Sequence, residues 1–198
     1  MSITAVILAA GASRRMGRPK ALLEHQGRTF LTHIVHTARA AGADAVTVVA
    51  GPPDGERIRA RLPVGAAVTW NPDPSRGMLS SVQVGLANLP ARTQAALVWP
   101  VDVPLVKVDT VERVVQAAPG RIVIPRHEGR GGHPVRIPQR VFGAILALPP
   151  ESSLRAFFHE NAAQVTWIDV DDPGCATDID TPEDHRAMSA DQPDKPGG

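Results

Sequence analysis

Apolar runs alternate with helix-like patterns along this chain, and this alternation limits the folds open to it more than any other feature. The runs Ala5–Ala10 and Ala96–Val101 contain no polar residue, as expected of strands that are covered on both faces. Between such runs apolar residues recur at helical spacing, as at Leu31, Ile34 and Val35. The pattern predicts a three-layer α/β/α fold with a doubly wound, mostly parallel sheet.

The predicted strands fall on apolar or β-branched runs: Thr4–Ala10, Ala45–Ala50, Ala66–Asn71, Ala95–Asp102, Arg121–Pro125, Pro134–Ile137 and Val165–Val170. Helices are predicted near residues 31–38, 78–89, 111–118, 139–148 and 153–160. A last helix is predicted to start at Thr181, where Thr, Pro and acidic residues form a typical helix N-terminus. We expect one domain over residues 1–189 and a disordered tail over residues 190–198, which are mostly polar, Pro and Gly.

Composition argues against several classes of protein. The formal net charge is only +1, which disfavours general nucleic-acid binding. No apolar stretch approaches the ~18 residues of a membrane span, and the start of the chain lacks the basic region of a signal peptide. The single cysteine, Cys175, excludes an internal disulfide. These features predict a cytoplasmic protein that binds neither nucleic acid nor membranes.

The segment after the first strand is suited to a triphosphate. Between Gly11 and Lys20 it combines small residues, whose backbone N–H groups can approach a ligand closely, with four cationic side chains. Five residues separate Gly11 from Gly17, so this is not a Walker loop, and no Gly-x-Gly opens a dinucleotide fingerprint. The alternative is a turn with surface arginines, but four cations packed there would repel one another without an anion.

Polar groups also follow three later strands. The segment from Asn71 to Ser81 would place N–H groups and hydroxyls at a helix N-terminus, which favours anions; simple helix capping is the alternative. Asp102 directly follows an apolar strand, where a carboxylate can bind Mg²⁺; a turn or N-cap aspartate is the alternative. Asp178 belongs to a second acidic cluster, and its pairing with Asp102 would complete a metal site.

His133 ends the glycine-rich segment Gly129–Gly132. We predict a flexible loop here that admits a second substrate to the site. A structural role for the histidine is the alternative.

These motifs together resemble the molybdenum cofactor cytidylyltransferase family, a branch of the MobA-like NTP transferase superfamily. The resemblance rests on Leu8–Lys20, Gly77–Ser81, Pro100–Pro104 and Asp178–Asp184, which occur in the order typical of that family, and on Gly132–Val135. It implies a Rossmann-like nucleotidyltransferase fold of the nucleotide-diphospho-sugar transferase type.

The resemblance further implies an Mg²⁺-dependent enzyme. It would transfer CMP from CTP to the terminal phosphate of molybdenum-molybdopterin, giving molybdopterin cytosine dinucleotide and pyrophosphate. The turn Ala9-Ala10-Gly11 favours CTP, because guanylyltransferase relatives typically have Leu-Ala-Gly-Gly there. A molybdoenzyme or its chaperone is the implied protein partner.

Three alternatives remain open. The enzyme could use GTP or a different phosphate acceptor, or the chain could be a non-catalytic carrier of molybdenum cofactor. A Rossmann oxidoreductase fits the fold class but lacks the Gly-x-Gly turn.

The predicted mechanism gives each motif a role. Arg15, Lys20 and Asp102 are catalytic, Asp102 and Asp178 bind the metal, and His133 touches the acceptor. The predicted nucleotide contacts are Leu8, Ala9, Ala10, Gly11, Ser13, Lys20, Asn71 and Ser81.

Overall fold

The structure is a computed structural model that describes residues 1–13 and 15–190. Its strands are β1 (Ile3–Leu8), β2 (Glu24–His25), β3 (Arg28–Thr29), β4 (Ala45–Ala50), β5 (Ala67–Trp70), β6 (Ala95–Pro100), β7 (Ile122–His127), β8 (Arg130–Gly131), β9 (Val135–Pro138) and β10 (Val165–Asp169). Its helices are α1 (Phe30–Ala40), α2 (Gly55–Arg59), α3 (Met78–Ala87), α4 (Val108–Gln116), α5 (Phe142–Leu146), α6 (Leu154–Glu160) and α7 (Pro182–Ala190). The tail predicted at residues 190–198 lies outside the described residues except for Ala190, where α7 ends.

A mostly parallel sheet forms the middle layer. Within the described residues its order is β10-β7-β9-β6-β1-β4-β5, with β8 paired to β7, and β2 and β3 form a separate hairpin. Strand β1 is parallel to both neighbours, β4 and β6, and β7 is parallel to β10. Strand β9 runs antiparallel between β6 and β7. The predicted doubly wound, mostly parallel sheet is confirmed.

Strand β1 shows why the sheet is covered on both faces. All of its residues are buried, and their side chains alternate between two cores. Ala5 and Ile7 pack into the core shared with α1 and α4, whereas Val6 and Leu8 pack into the core shared with α3, α5 and α6. This alternation follows from strand geometry, which points successive side chains to opposite faces. The three-layer architecture is therefore encoded in apolar runs that lack a polar side.

All seven predicted strands are present, and their ends lie within two residues of the predicted ends. The short elements β2, β3, β8 and α2 were not predicted, because two to five residues are too few to display a period. In the part of the chain that the structure describes, no helix combines the length and the apolarity needed to cross a membrane.

Helix α3 packs closely against the sheet at Gly85. A Cβ atom at Gly85 would lie 2.5 Å from Val6 Cγ1 and 3.1 Å from Val49 Cγ2. The missing side chain therefore lets α3 approach β1 and β4.

We expect Gly85→Ala to lower the free energy of unfolding by about 1–3 kcal/mol, because overpacking outweighs the better helix propensity of alanine. Gly143→Ala in α5 is the matched control, since a Cβ atom there meets nothing within 4 Å. The control should be neutral or stabilising by up to about 1 kcal/mol. Urea unfolding of both variants measures the difference, and a Gly85→Ala protein as stable as the control would contradict the packing argument.

Candidate active site

A cleft of about 340 Å³ lies at the carboxyl ends of β1 and β6. The segment after β1, the start of α3, the end of β6 and the segment before α7 all contribute to its walls. The predicted site residues that line it are Leu8, Ala10, Gly11, Ser13, Arg15, Lys20, Ser81 and Asp102. Ligands of open α/β sheets bind at this edge.

The loop after β1 is closed by Ser13. The Ser13 hydroxyl accepts a hydrogen bond from the Lys20 backbone N–H at 3.1 Å, and the Ser13 carbonyl accepts one from the Met16 N–H at 3.0 Å. The backbone of Ser13 is left-handed, with φ of 46°, as is that of Gly17, with φ of 67°. These bonds fold the loop back on itself and carry Lys20 into the cleft.

The Lys20 ammonium is the electrostatic centre of the cleft. Its Nζ donates to Asp102 Oδ2 at 2.9 Å and to Asp180 Oδ1, and only 12% of the side chain is exposed. Arg15 donates to the other oxygen of Asp180 at 2.7 Å. Burial lowers the pKa of Lys20, but the two carboxylates together outweigh burial and raise it. Lys20 therefore carries a positive charge at neutral pH.

One backbone hydrogen bond brings the two acidic segments together. The Ile179 N–H donates to the Asp102 carbonyl at 2.8 Å, which joins the segment before α7 to the end of β6. Asp180, on one side of Ile179, then lines the cleft, whereas Asp178, on the other side, does not. The hydrogen bond from Lys20 lowers the pKa of Asp180.

Asp178 lies close enough to Asp102 and Asp180 for their negative charges to affect its pKa. Partial burial, followed by the negative charges of Asp102 and Asp180, raises the pKa of Asp178. Asp102 and Asp178 are thus within electrostatic range of each other, but Asp180 is the second carboxylate that lines the cleft. The available signal was the period-two spacing of Asp178 and Asp180, which did not show which of them faces inward.

These carboxylates offer the oxygen donors that a divalent cation prefers. Within the described residues, no group of three or more His, Cys, Asp or Glu side chains forms a ready metal site. Mg²⁺ commonly uses one or two carboxylates together with substrate phosphates. Asp102 with one of its acidic neighbours fits an ion that is completed by nucleotide.

Two predicted nucleotide contacts lie outside the cleft lining. Asn71 is only 2% exposed, and its Nδ2 donates to the hydroxyls of Ser80 at 3.0 Å and Ser81 at 2.9 Å. The Ala9 N–H donates to the Val49 carbonyl at 2.9 Å. Both groups are therefore used within the fold. Asn71 positions Ser81 at the cleft instead of lining the cleft itself.

A second cavity of about 1050 Å³ adjoins the cleft. Gly77 and Met78, at the start of α3, line both spaces. His133 lines the second cavity and not the first. The residue predicted to touch the acceptor thus lines the cavity that shares Gly77 and Met78 with the cleft of Lys20.

The segment before His133 is not the flexible loop that the glycines suggested. Part of it forms β8, and the N–H groups of Gly132 and His133 donate to the carbonyls of Pro125 and Cys175, both at 2.8 Å. A Cβ atom at Gly132 would lie 2.2 Å from the Cys175 carbonyl oxygen. This glycine permits close backbone packing, which holds His133 in place.

Residues 5–165 match the MobA-like NTP transferase domain family. The chain belongs to this family. The predicted superfamily and nucleotidyltransferase fold are confirmed, and the chain is an enzyme of the nucleotidyltransferase type. Confirmation at this level leaves the choice of nucleotide and acceptor open.

Similar proteins include relatives whose names give different activities and a relative whose crystal structure is known. A nicotine blue oxidoreductase of Paenarthrobacter nicotinovorans is 33% identical over 91% of this chain and 93% of the relative. A probable molybdenum cofactor guanylyltransferase of Rhodopirellula baltica is 35% identical over 60% of this chain and 58% of the relative. The crystal structure of Rv0371c from Mycobacterium tuberculosis is 31% identical, with a TM-score of 0.85 over 96% of this chain and 98% of that one. Its manganese complex is 29% identical, with a TM-score of 0.81 over 97% and 100%.

His133 makes the stability of the fold depend on pH. Burial lowers the pKa of His133 and outweighs the charge of Asp102 and a backbone hydrogen bond at Val98, which raise it. The buried Nδ1 atom has no hydrogen-bond partner within the described residues. The unfolded chain therefore binds a proton more readily than the folded chain, and the free energy of unfolding contributed by this group falls as the pH drops below about 6.5.

When the pH falls from about 7.5 to about 5, we expect the free energy of unfolding of His133→Asn to decrease less than that of the wild type. The difference is up to about 1.4 kcal/mol for each unit by which folding lowers the pKa of His133. Urea unfolding at the two pH values measures this difference. His36→Asn, on the exposed face of α1, reports the loss of an imidazole elsewhere. Equal acid sensitivity in the wild type and His133→Asn would show that His133 is as easily protonated in the folded chain as in the unfolded one.

Proposed function

We propose that this enzyme transfers CMP from CTP to the terminal phosphate of molybdenum-molybdopterin, with Mg²⁺, and releases pyrophosphate. The observation that carries the proposal is the junction of the two cavities at Gly77 and Met78. A transfer between two bound substrates needs one space for each and a shared wall where the reacting groups meet. The cleft, with the Lys20 ammonium at its centre, suits the triphosphate, and the larger cavity suits the acceptor.

The triphosphate would occupy the space around Lys20. Small residues at Ala10 and Gly11 let phosphate oxygens approach the backbone, and the hydroxyls of Ser13 and Ser81 lie in the same cleft. Phosphate oxygens would compete with Asp102 for the Lys20 ammonium. Binding thus exchanges one set of negative partners for another without leaving a buried charge unpaired.

Asp102, together with Asp178 or Asp180, would hold Mg²⁺. The ion would neutralise negative charge on the phosphate oxygens. The manganese complex of Rv0371c supports the use of a divalent metal in the family.

The acceptor phosphate oxygen attacks the α-phosphorus of CTP in line, and the bond to the bridging oxygen of the β-phosphate breaks. Pyrophosphate leaves with the electron pair of that bond. Such transfers depend on positioning and charge stabilisation more than on covalent help from the protein. Lys20 and Arg15 would stabilise the growing negative charge, and no nucleophilic side chain is required.

The choice of CTP is supported by Ala9-Ala10-Gly11 in the first turn. The choice of molybdenum-molybdopterin is supported by the similarity to the relative in Rhodopirellula baltica that is named probable molybdenum cofactor guanylyltransferase. The product would pass to a molybdoenzyme or its chaperone. GTP, or another phosphate acceptor, is the alternative within the same chemistry.

A redox activity is a second candidate, because the relative named nicotine blue oxidoreductase aligns over most of both chains. The first turn after β1 lacks the Gly-x-Gly of dinucleotide-binding folds.

One screen separates these activities. Pyrophosphate release is measured with Mg²⁺ and each of the four NTPs, with and without molybdenum-molybdopterin, beside a parallel assay of NADH and NADPH oxidation. The proposal expects pyrophosphate only with CTP and the acceptor together. Release with GTP instead, release without the acceptor, or nicotinamide oxidation alone would each reject it in favour of a different reaction.

We expect Lys20→Ala to lower kcat by about 10²- to 10³-fold, the range for removing one charge-stabilising donor, with a smaller change in the KM for CTP. The same substitution at Lys107, which lies outside both cavities, is the control. Steady-state pyrophosphate release measures both variants. A kcat equal to that of the Lys107 control would remove Lys20 from the mechanism.

Asp102→Asn is expected to abolish metal-dependent turnover with the fold intact, because it removes the carboxylate shared by the metal and Lys20. Asp178→Asn and Asp180→Asn then identify the second ligand, since its loss should raise the Mg²⁺ concentration needed for half-maximal rate. Asp109→Asn, on the exposed start of α4, is the control. Normal activity of Asp102→Asn at low Mg²⁺ would refute the metal assignment.

A further inference from the structure

The second cavity is built from the sheet and α6. Its sheet wall includes Val98 on β6, Ile124 on β7, Val135 on β9 and Val165 on β10, and α6 contributes Phe158. Its volume, about 1050 Å³, is at the upper end of small-molecule sites. The space therefore suits a bulky ligand with an apolar part.

Trp167 is the tryptophan that lines this cavity. It lies on β10 opposite Ile124, and 48% of it is exposed. A Cβ atom at Gly131 would lie 2.8 Å from Trp167 Cζ3 and 3.3 Å from its Cη2. The indole thus lies directly over the space that a side chain on β8 would fill. A half-exposed tryptophan beside an apolar cavity offers a stacking surface for a planar ring.

The charged side chains at this cavity are all basic. Arg76, Arg130 and Arg155 line it together with His133 and His159, and no Asp or Glu is among the described residues of the lining. The whole chain is nearly balanced, with 21 Lys and Arg against 20 Asp and Glu. The excess of basic side chains is therefore local to this cavity, and it favours the binding of an anion.

Arg76 has the position that matters for transfer. It immediately precedes Gly77, the residue that belongs to both cavities. Among the described residues it forms no salt bridge, in contrast to Arg15 in the neighbouring cleft. Its guanidinium is available to an anionic group near the junction.

We propose that Trp167 and Arg76 determine which acceptor this enzyme takes: Trp167 stacks on a planar heterocycle, and Arg76 binds the phosphate that the heterocycle carries. Calling this ligand the acceptor rests on the proposed function; the binding site itself does not. Stacking holds the ring on β10 while the phosphate is held beside Gly77. The two contacts together select ligands that have both parts.

Flavin mononucleotide is a suitable probe, because it joins a planar heterocycle to a phosphate monoester and its fluorescence is quenched on stacking. Riboflavin supplies the ring without phosphate, and ribose 5-phosphate supplies phosphate without the ring. Titrations without nucleotide follow flavin fluorescence, and ribose 5-phosphate is tested as a competitor. We expect flavin mononucleotide to bind about ten-fold or more tightly than either partial ligand.

Trp167→Leu is expected to weaken flavin mononucleotide binding about ten-fold or more, in the range known for stacking on aromatic side chains. Trp70→Leu, at a partly exposed tryptophan outside both cavities, should change it less than two-fold, on the order expected of an uninvolved site. Arg76→Gln should remove the preference for flavin mononucleotide over riboflavin. Arg92→Gln, in the exposed turn before β6, should keep that preference.

Gly131→Ala tests the geometry with Trp167 retained. The added methyl group displaces the indole, so flavin binding should weaken as in Trp167→Leu, while circular dichroism shows an unchanged fold. Trp167→Phe should recover part of the affinity, which a purely structural role would not predict.

Failure of flavin mononucleotide to bind, or equal binding by Trp167→Leu and Trp70→Leu, overturns the inference. Equal binding of riboflavin and flavin mononucleotide by the wild type overturns the part assigned to Arg76. Flavin binding is measured without nucleotide, so these results do not depend on catalysis. Flavin binding with the expected pattern but no pyrophosphate from any NTP would refute the proposed function and leave the binding site standing, and the reverse result would refute only this inference.

Discussion

The ammonium of Lys20, held between the carboxylates of Asp102 and Asp180, is the interaction on which the site depends. It connects the segment after β1, the end of β6 and the segment before α7, which are far apart in sequence. Without the Lys20 ammonium, the carboxylates of Asp102 and Asp180 would repel each other. Without these carboxylates, the cationic side chains of the loop after β1 would repel each other. In a partly buried cleft such charges interact more strongly than in water. The cleft is therefore close to electrically balanced and can exchange carboxylates for phosphates.

Mostly different strands of the sheet line the cleft and the larger cavity. The parallel strands β1 and β6 end at the cleft, whereas β7, β9 and β10 line the larger cavity together with α6 and Val98 of β6. Gly77 and Met78, at the start of α3, line both spaces, and the bonds from Asn71 to Ser80 and Ser81 hold this end of the helix. These side-chain bonds therefore help to position the junction at which the proposed substrates would meet.

The fold was predictable because its strands are long apolar runs. The presence of Lys20 and Asp102 in one cleft was predictable because the segments that carry them follow strands that end at the same edge of the sheet. The remaining features depend on burial, which the sequence does not show. Asp178 and Asp180 are two residues apart, a spacing that would put both on one face of an extended segment, yet only Asp180 lines the cleft. The glycines before His133 suggested flexibility, yet Gly132 is there because Cys175 leaves no room for a side chain.

The most direct test is a crystal structure of the enzyme with Mg²⁺ and a non-hydrolysable CTP analogue. The account predicts the triphosphate in the cleft, with Lys20 Nζ within hydrogen-bond distance of a phosphate oxygen and Asp102 bound to the metal. A nucleotide bound elsewhere, with Lys20 still paired to both Asp102 and Asp180, would contradict it.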